Sequence, residues 1–427
     1  MSPKSFIRSK NVDPNFPFYN QDRKWNVRFL RLVTLVFVCY LPISNVFATQ
    51  GDTSLAPTPG LTQDQILDGW ISLFDGSTLY GWKQVSQADW KVEKGEIRVL
   101  QGDKGLLRTT AQFDDFEMIL EFKTAPRANS GVFFRTNPDP RDVLRDCYEL
   151  NIASPLDHEF PTGSLVGRAK CELRVDEEQW HHFRILADGP KIKVWLDDEK
   201  AVEYVDPDPL GRGYIGLQLN SGPAAFRNIA IKPLNTESLF DGKTLNQWNQ
   251  DKKQNSVFDV TQDGELRILN GRGQLESKAQ FGDFVFTMQC KTNASGLNSG
   301  VFFRCIPGEL MNGYESQIQN QFKNNDRTQP VDCGTGGIFR RSPARFVNAN
   351  DNEWFAKTII ATGPHVSVWV NGYQVTDWTD ARKPDANPRN GRRLEKGTII
   401  FQGHDPTTDI LLRNIYAKEI TARRSIK

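Results

Sequence analysis

The sequence predicts an all-β protein made of two tandem antiparallel β-sandwiches. Three observations lead there: a long internal repeat, short runs in which apolar and polar residues alternate, and a length sufficient for two cores. With 427 residues, a usual domain size of roughly 100–200 residues allows two or three domains.

The repeat is the strongest signal and comes first. SLFDGSTLYGW (Ser72 to Trp82) returns as SLFDGKTLNQW (Ser238 to Trp248). NSGVFFR occurs unchanged at Asn129 to Arg135 and at Asn298 to Arg304, and Tyr148-Glu149 returns as Tyr314-Glu315. Trp180 matches Trp354, KVWLDD (Lys193 to Asp198) matches SVWVNG (Ser367 to Gly372), and FRNIAIK (Phe226 to Lys232) matches LRNIYAK (Leu412 to Lys418). The order is kept throughout. Copy one is expected over 70–233 and copy two over 237–421, joined with almost no linker, and 49–69 reads as a tether because Gly51 to Gly60 is rich in Pro, Thr and Ser.

Within each copy the period is that of strands. Phe116, Met118, Leu120 and Phe122 alternate with Glu117, Ile119, Glu121 and Lys123, and Phe284 to Thr292 repeats the pattern. Ile192, Val194 and Leu196 do the same. Turn signals such as Asp75-Gly76, Asp188-Gly189 and Asn371-Gly372, with no long helical stripe, favour a two-sheet sandwich.

The ends and the charge bound the setting. Arg28 and Arg31 precede an apolar run from Leu32 to Leu41 and then Val46-Phe47-Ala48, the layout of a secretory signal over 1–48, too short for a spanning helix of about twenty residues. The expected location is therefore periplasmic or extracellular, with an uncleaved membrane anchor as the alternative. Of 6 cysteines, Cys39 falls in that run. The other five, an odd number, are expected to be mainly small buried hydrophobes, with a disulfide in either copy possible and no zinc spacing. A formal charge of +1, from 53 basic and 52 acidic residues, offers no field to gather a polyanion and argues against nucleic acid as partner.

Strand alternation also groups polar side chains. In NSGVFFR, Val132 and Phe134 face one way, and Asn129, Phe133 and Arg135 the other. On the next strand Glu149 and Asn151 oppose Tyr148, Leu150 and Ile152. Copy two repeats this with Asn298, Arg304, Glu315, Gln317 and Gln319. Glu, Arg, Asn and Gln on one sheet face suit the hydrogen bonding of sugar hydroxyls; an Arg–Glu ion pair on a solvated face is an equal alternative. Trp195, Trp369 and Phe133 are candidate stacking platforms, although sheet tryptophans more often pack under a neighbouring strand.

SLFDGKTLNQW, NSGVFFR, Gly313-Tyr314-Glu315, Glu353-Trp354, and Gln402-Gly403-His404-Asp405-Pro406 followed by Leu412-Arg413-Asn414-Ile415 resemble the bacterial 3-keto-disaccharide hydrolase domain family, also described as 3-keto-glucoside lyase and 3-keto-2-hydroxyglucal hydratase domains. The resemblance covers nearly all the chain beyond Gly69, twice. It implies a concanavalin A-like jelly roll acting on a carbohydrate already oxidised at its third carbon, the ketone being made by a separate sugar 3-dehydrogenase. Family members commonly continue the strand as Y-E-V-Q-I-x-D, but Ser154 and Asn320 stand at the Asp position. Copy one has Asn151 for the Gln, Val166 where Tyr is frequent, and no His after Gln218, whereas copy two keeps Gln317, Gln402 and His404.

A conventional glycosidase needs two carboxylates across the scissile bond. Neither Glu149 nor Glu315 has such a partner in sequence. A 3-keto sugar needs less, because its ketone acidifies the neighbouring C–H: one base, an electrophile for the enolate and a proton for the leaving oxygen suffice. Copy two is therefore the expected catalytic copy. Glu315 or His404 is the candidate base, and Arg304 or Arg340 the candidate enolate holder, with no nicotinamide cofactor needed and a divalent ion possible. Asn298, Gln317 and Gln402, with Asn129, Arg135 and Glu149 in copy one, are candidate sugar contacts. A lectin-like binding protein without chemistry is the alternative.

Overall fold

The computed structural model describes residues 53–251 and 253–421. The expected signal, 1–48, lies outside the described residues. Each copy consists of one 8-stranded and one 5-stranded sheet, packed face to face with antiparallel pairing throughout. Strand order is the same in both copies, the arrangement of a concanavalin A-like jelly roll.

Copy one places Asn129–Thr136 between Tyr148–Ala153 at the sheet edge and Tyr214–Ser221 in the small sheet. Copy two repeats this with Ser299–Cys305 between Tyr314–Ile318 and Gly397–Gly403. The inward set predicted by alternation is buried: Phe116, Met118, Leu120 and Phe122 from the large sheet meet Val132, Phe134, Tyr148 and Leu150 from the small one.

The repeated motifs turn out to be mostly structural. In SLFDG, Asp75 Oδ1 accepts from the backbone N–H groups of Ser77 and Thr78, and Asp241 does the same for Lys243 and Thr244. These are the Asx turns such residues favour. Trp82 and Trp248 close each motif by donating from the indole to the carbonyls of Leu73 and Leu239. Ser130 and Ser299 of NSG each hold the neighbouring Gln strand, at 2.7 Å from the carbonyls of Gln218 and Gln402. Arg227 and Arg413 of the RNI motif cover Trp180 and Trp354, each at 3.9 Å.

One sequence expectation is corrected. The tether does not hang free: Thr53 O accepts from Arg327 Nε at 2.6 Å, Ala56 N donates to Asn348 Oδ1 at 2.8 Å, and a short helix, Gln63–Leu67, is capped by Thr62 and Gln65. The five cysteines among the described residues are all buried, as expected of small hydrophobes, and no disulfide joins them there.

The copies also share a packed interface. Trp369, read as a possible platform, is buried and donates to Ser72 O at 2.9 Å, while Ser72 N donates to Gly372 O. Trp369, Val285, Ile360 and Ile420 of copy two belong to the apolar core of copy one. Arg345 reaches Asp75 at 2.9 Å from between Tyr80 and Tyr373, and Lys418 meets Asp115 at 2.6 Å.

Candidate functional site

A cleft of about 350 Å³ opens on the outer face of the small sheet of copy two. Its floor is Phe302, Glu315 and Gln402, and Arg272, Arg340, Arg341 and Arg389 line its sides. The pairing register explains the floor: Phe302 lies opposite Glu315 and Gly300 opposite Gln317. Glycine at 300 leaves room for the carboxylate, since a Cβ there would come within 2.6 Å of Glu315 Oε1 and displace it. NSG thus supplies a serine staple and a bare spot over which the carboxylate lies.

Burial pushes the Glu315 carboxyl up to about 7; Asp332 adds to this, while the nearby charges of Lys357 and Arg340 oppose it. Lys357 was not anticipated. It projects into the core in phase with Phe355 and Ile359, is 1 % exposed, and donates to the carbonyls of Ser316 and Gln317 at 2.8 and 2.9 Å. Burial lowers it to about 7, against the opposing influence of Cys290 and Glu315. A lysine at an inward position of FAKTIIAT, where the matching strand of copy one carries Phe183, was the available signal.

Arg304 is not in the cleft. Its φ of +49° marks a bulge that breaks the strand's alternation between Phe302 and Cys305. The guanidinium is thereby turned into the interior, where it meets Asp283 at 2.9 Å and the carbonyls of Gly282 and Gly363. Arg135, with φ +46°, does the same with Asp115 and the carbonyls of Asp114 and Gly189. Both are structural ion pairs, so their assignment to the site is overturned.

Gln317 is also committed, being 1 % exposed and bonded to Asp332, to Cys333 N and, at 3.3 Å, to Asn298 Oδ1. Gln317 and Asn298 therefore fix the wall behind Glu315. His404 lies past the end of its strand, exposed and 2.8 Å from Asp405, and does not line the cleft. In copy one Asn129 contacts the His158 ring at 3.1 Å. Glu149 lies over Gly131 as Glu315 lies over Gly300.

Gln402 and Arg340 line the cleft. Gln402 is 8 % exposed; its Nε2 meets Met311 Sδ at 3.2 Å and its Oε1 has no partner. An orphaned buried acceptor facing a cleft fits a hydroxyl donor. Arg340 holds φ +57° at the turn position that Gly167, φ +70°, occupies in copy one. A non-glycine residue there is strained. Residues 380–396 of copy two replace 206–213 of copy one between the corresponding strands and bring Pro388 and Arg389 over the cleft.

The residues present do not suit a divalent ion. Among the described residues no three His, Cys, Asp or Glu side chains gather as ligands. Glu315 stands among guanidinium groups, which repel a cation.

Fold and cleft together define a carbohydrate-active jelly roll with one half-buried carboxylate in a basic groove. The model of the 3-keto-alpha-glucoside-1,2-lyase-like domain matches residues 69–232 and again 235–418, and the chain belongs to that family. A 3-keto-disaccharide hydrolase of Bacteroides thetaiotaomicron is 31% identical over 232 residues, covering 39% of this chain and 79% of that protein. A solved candidate glycosyl hydrolase from Parabacteroides distasonis is 25% identical, covering 44% of this chain and 100% of its own, with a TM-score of 0.35. A carbohydrate-binding module of Bacillus subtilis is 20% identical, covering 36% and 95%, with a TM-score of 0.30. Among the described residues no helix is long and apolar enough to cross a membrane.

Proposed function

We propose that copy two cleaves 3-keto-glycosides by elimination beside the ketone, with Glu315 as the base. The carrying observation is a single carboxylate pushed up to about 7 on the floor of a sugar-sized cleft, with Arg340 close enough to act on it. Burial makes Glu315 a stronger base than an exposed glutamate while leaving it substantially ionised near neutral pH.

In the proposed step Glu315 takes the proton from the second carbon of the sugar. The electrons of that C–H bond delocalise onto the ketone oxygen as an enolate, which the Arg340 guanidinium stabilises. The enolate then collapses: a double bond forms between the first and second carbons, and the bond from the first carbon to the aglycone oxygen breaks. The proton on Glu315 passes to the departing oxygen, which restores the carboxylate. No redox change occurs in this step, so the ketone must be made beforehand by a separate dehydrogenase. Gln402 Oε1 accepts from a ring hydroxyl. The same reading takes the protein outside the cytoplasm, with a mature chain beginning at Thr49.

Purified protein is incubated with a 3-keto-glucoside or 3-keto-trehalose, with and without added divalent metal. Release of the aglycone together with an unsaturated 3-keto sugar is the expected result. Binding without release under every condition turns the reading to a lectin-like protein.

A further inference from the structure

We infer that the cleft of copy two takes a glycoside carrying an anionic substituent, a carboxylate or a sulfate, held by Arg272 and Arg389 at its rim. The inference rests on the proposed reading of this cleft as the sugar site and adds the class of sugar.

The cleft contains four arginines and one carboxylate, Glu315, which is itself only partly ionised near neutral pH. Stabilising an enolate takes one guanidinium, so three are surplus to the chemistry. Among the described residues none of the four forms an ion pair: Arg341 donates to the carbonyls of Arg340 and Arg389, Arg389 to those of Leu310 and Met311, and Arg340 covers the Phe339 ring at 5.1 Å. The nearby Asp380 is already taken by Arg382 at 2.8 Å, and Asp332 by the Gln317 amide.

Like charges gathered in a concavity repel one another and raise the local attraction for an anion. The crowding leaves a trace, since the Arg341 guanidinium is lowered first by burial and then by Arg382, with a smaller push from Arg340, against the opposing pull of Asp380 and Tyr314. Arg340 is moreover kept at a left-handed position that copy one gives to Gly167. The chain as a whole has a formal charge of +1, so the basic character is local. A volume of about 350 Å³ fits one or two sugar rings. Beside the guanidinium groups, the free Gln402 Oε1 calls for a neutral hydroxyl. The site therefore asks for both chemistries in one small ligand: hydroxyls on the floor and anionic oxygens at the rim, where guanidinium pairs with carboxylate or sulfate through two parallel hydrogen bonds.

The test is isothermal titration of the whole protein with unoxidised sugars, which bind without reacting: methyl glucoside, methyl glucuronide, glucose 6-sulfate and inorganic sulfate. The glucuronide or the sugar sulfate is expected to bind at least about tenfold more tightly than the neutral glucoside, since one charge-assisted contact supplies this much. The tighter of the two identifies the anion. The preference should shrink as sodium chloride rises and should be lost in Arg272→Ala with Arg389→Ala, while Glu315→Gln keeps it; thermal melts establish that these variants are folded. Equal affinity for neutral and anionic sugars overturns the inference but leaves the proposed function intact. So does inorganic sulfate binding as tightly as the sugar sulfate, which would mean an anion site without sugar recognition. Binding of none of the sugars also overturns it, and the proposed function falls as well only if no 3-keto-glycoside is turned over.

Discussion

The two copies place the same glutamate on the same strand, and burial pushes both Glu149 and Glu315 up to about 7. They differ in what surrounds it. Glu149 is bonded by the Gln218 side chain, and the adjoining face is filled by Leu106, Phe133, Cys147 and the partly buried Val143. Glu315 faces an open cleft with arginines around it and a buried lysine behind its strand. Gly167 and Phe183 of copy one stand where copy two has Arg340 and Lys357. A raised carboxyl is thus a property of the jelly roll's Tyr-Glu strand, and burial alone does not mark a reactive site. The guanidinium groups and the open volume distinguish the two.

The largest expected effect separates the copies outright. Glu315→Gln should lower turnover of a 3-keto-glycoside by roughly 10²–10⁴-fold, the usual contribution of a positioned base, with Glu149→Gln changing it by less than about twofold. Initial rates with both variants check this, and equal losses would make the copies functionally alike.

The interface comes next. Trp369→Ala removes a side chain of copy two from the core of copy one, at an expected cost of about 3–5 kcal/mol. Denaturant titration of the full chain measures it. The shared core also argues against copy two folding alone. A fragment over 237–421 exposes Trp369, Val285 and Ile360 and should aggregate unless copy one is supplied.

Arg340→Gly copies the turn of copy one into copy two. If Arg340 holds the enolate, kcat should fall by about 10²–10³-fold, as for loss of an oxyanion donor, while the melting temperature holds or rises because the left-handed strain is relieved. A fall in both would make Arg340 a structural residue.

The smallest effect is on pH. Glu315 acts ionised, so kcat/KM should rise as pH passes upward through about 7. Charged Lys357 favours the ionised carboxylate and so lowers this pKa. Lys357→Met removes that help, and the acidic limb should move to higher pH by less than about one unit. A limb that stays in place would mean that Lys357 only braces the edge strand through Ser316 and Gln317.

What the sequence alone determined was the architecture. Repeat spacing, alternation and turn residues are local properties of the chain, and they sufficed for two antiparallel sandwiches with Glu315 on an outer face. The resemblance to the family added the jelly roll and the sugar chemistry. The site was only half legible, because alternation assumes an unbroken pleat. A bulge at Arg304, and its counterpart at Arg135 in copy one, carried these arginines out of the face and into ion pairs with Asp283 and Asp115. Arg272, Arg340, Arg341 and Arg389 come from three separate stretches of chain, and no sequence period brings them together. Lys357 reaches the Tyr-Glu strand from the opposite sheet across the core. Charge crowding, the volume of the cleft and the desolvation of Glu315 depend on distances between residues remote in sequence, and only the packing of the two sheets fixes those.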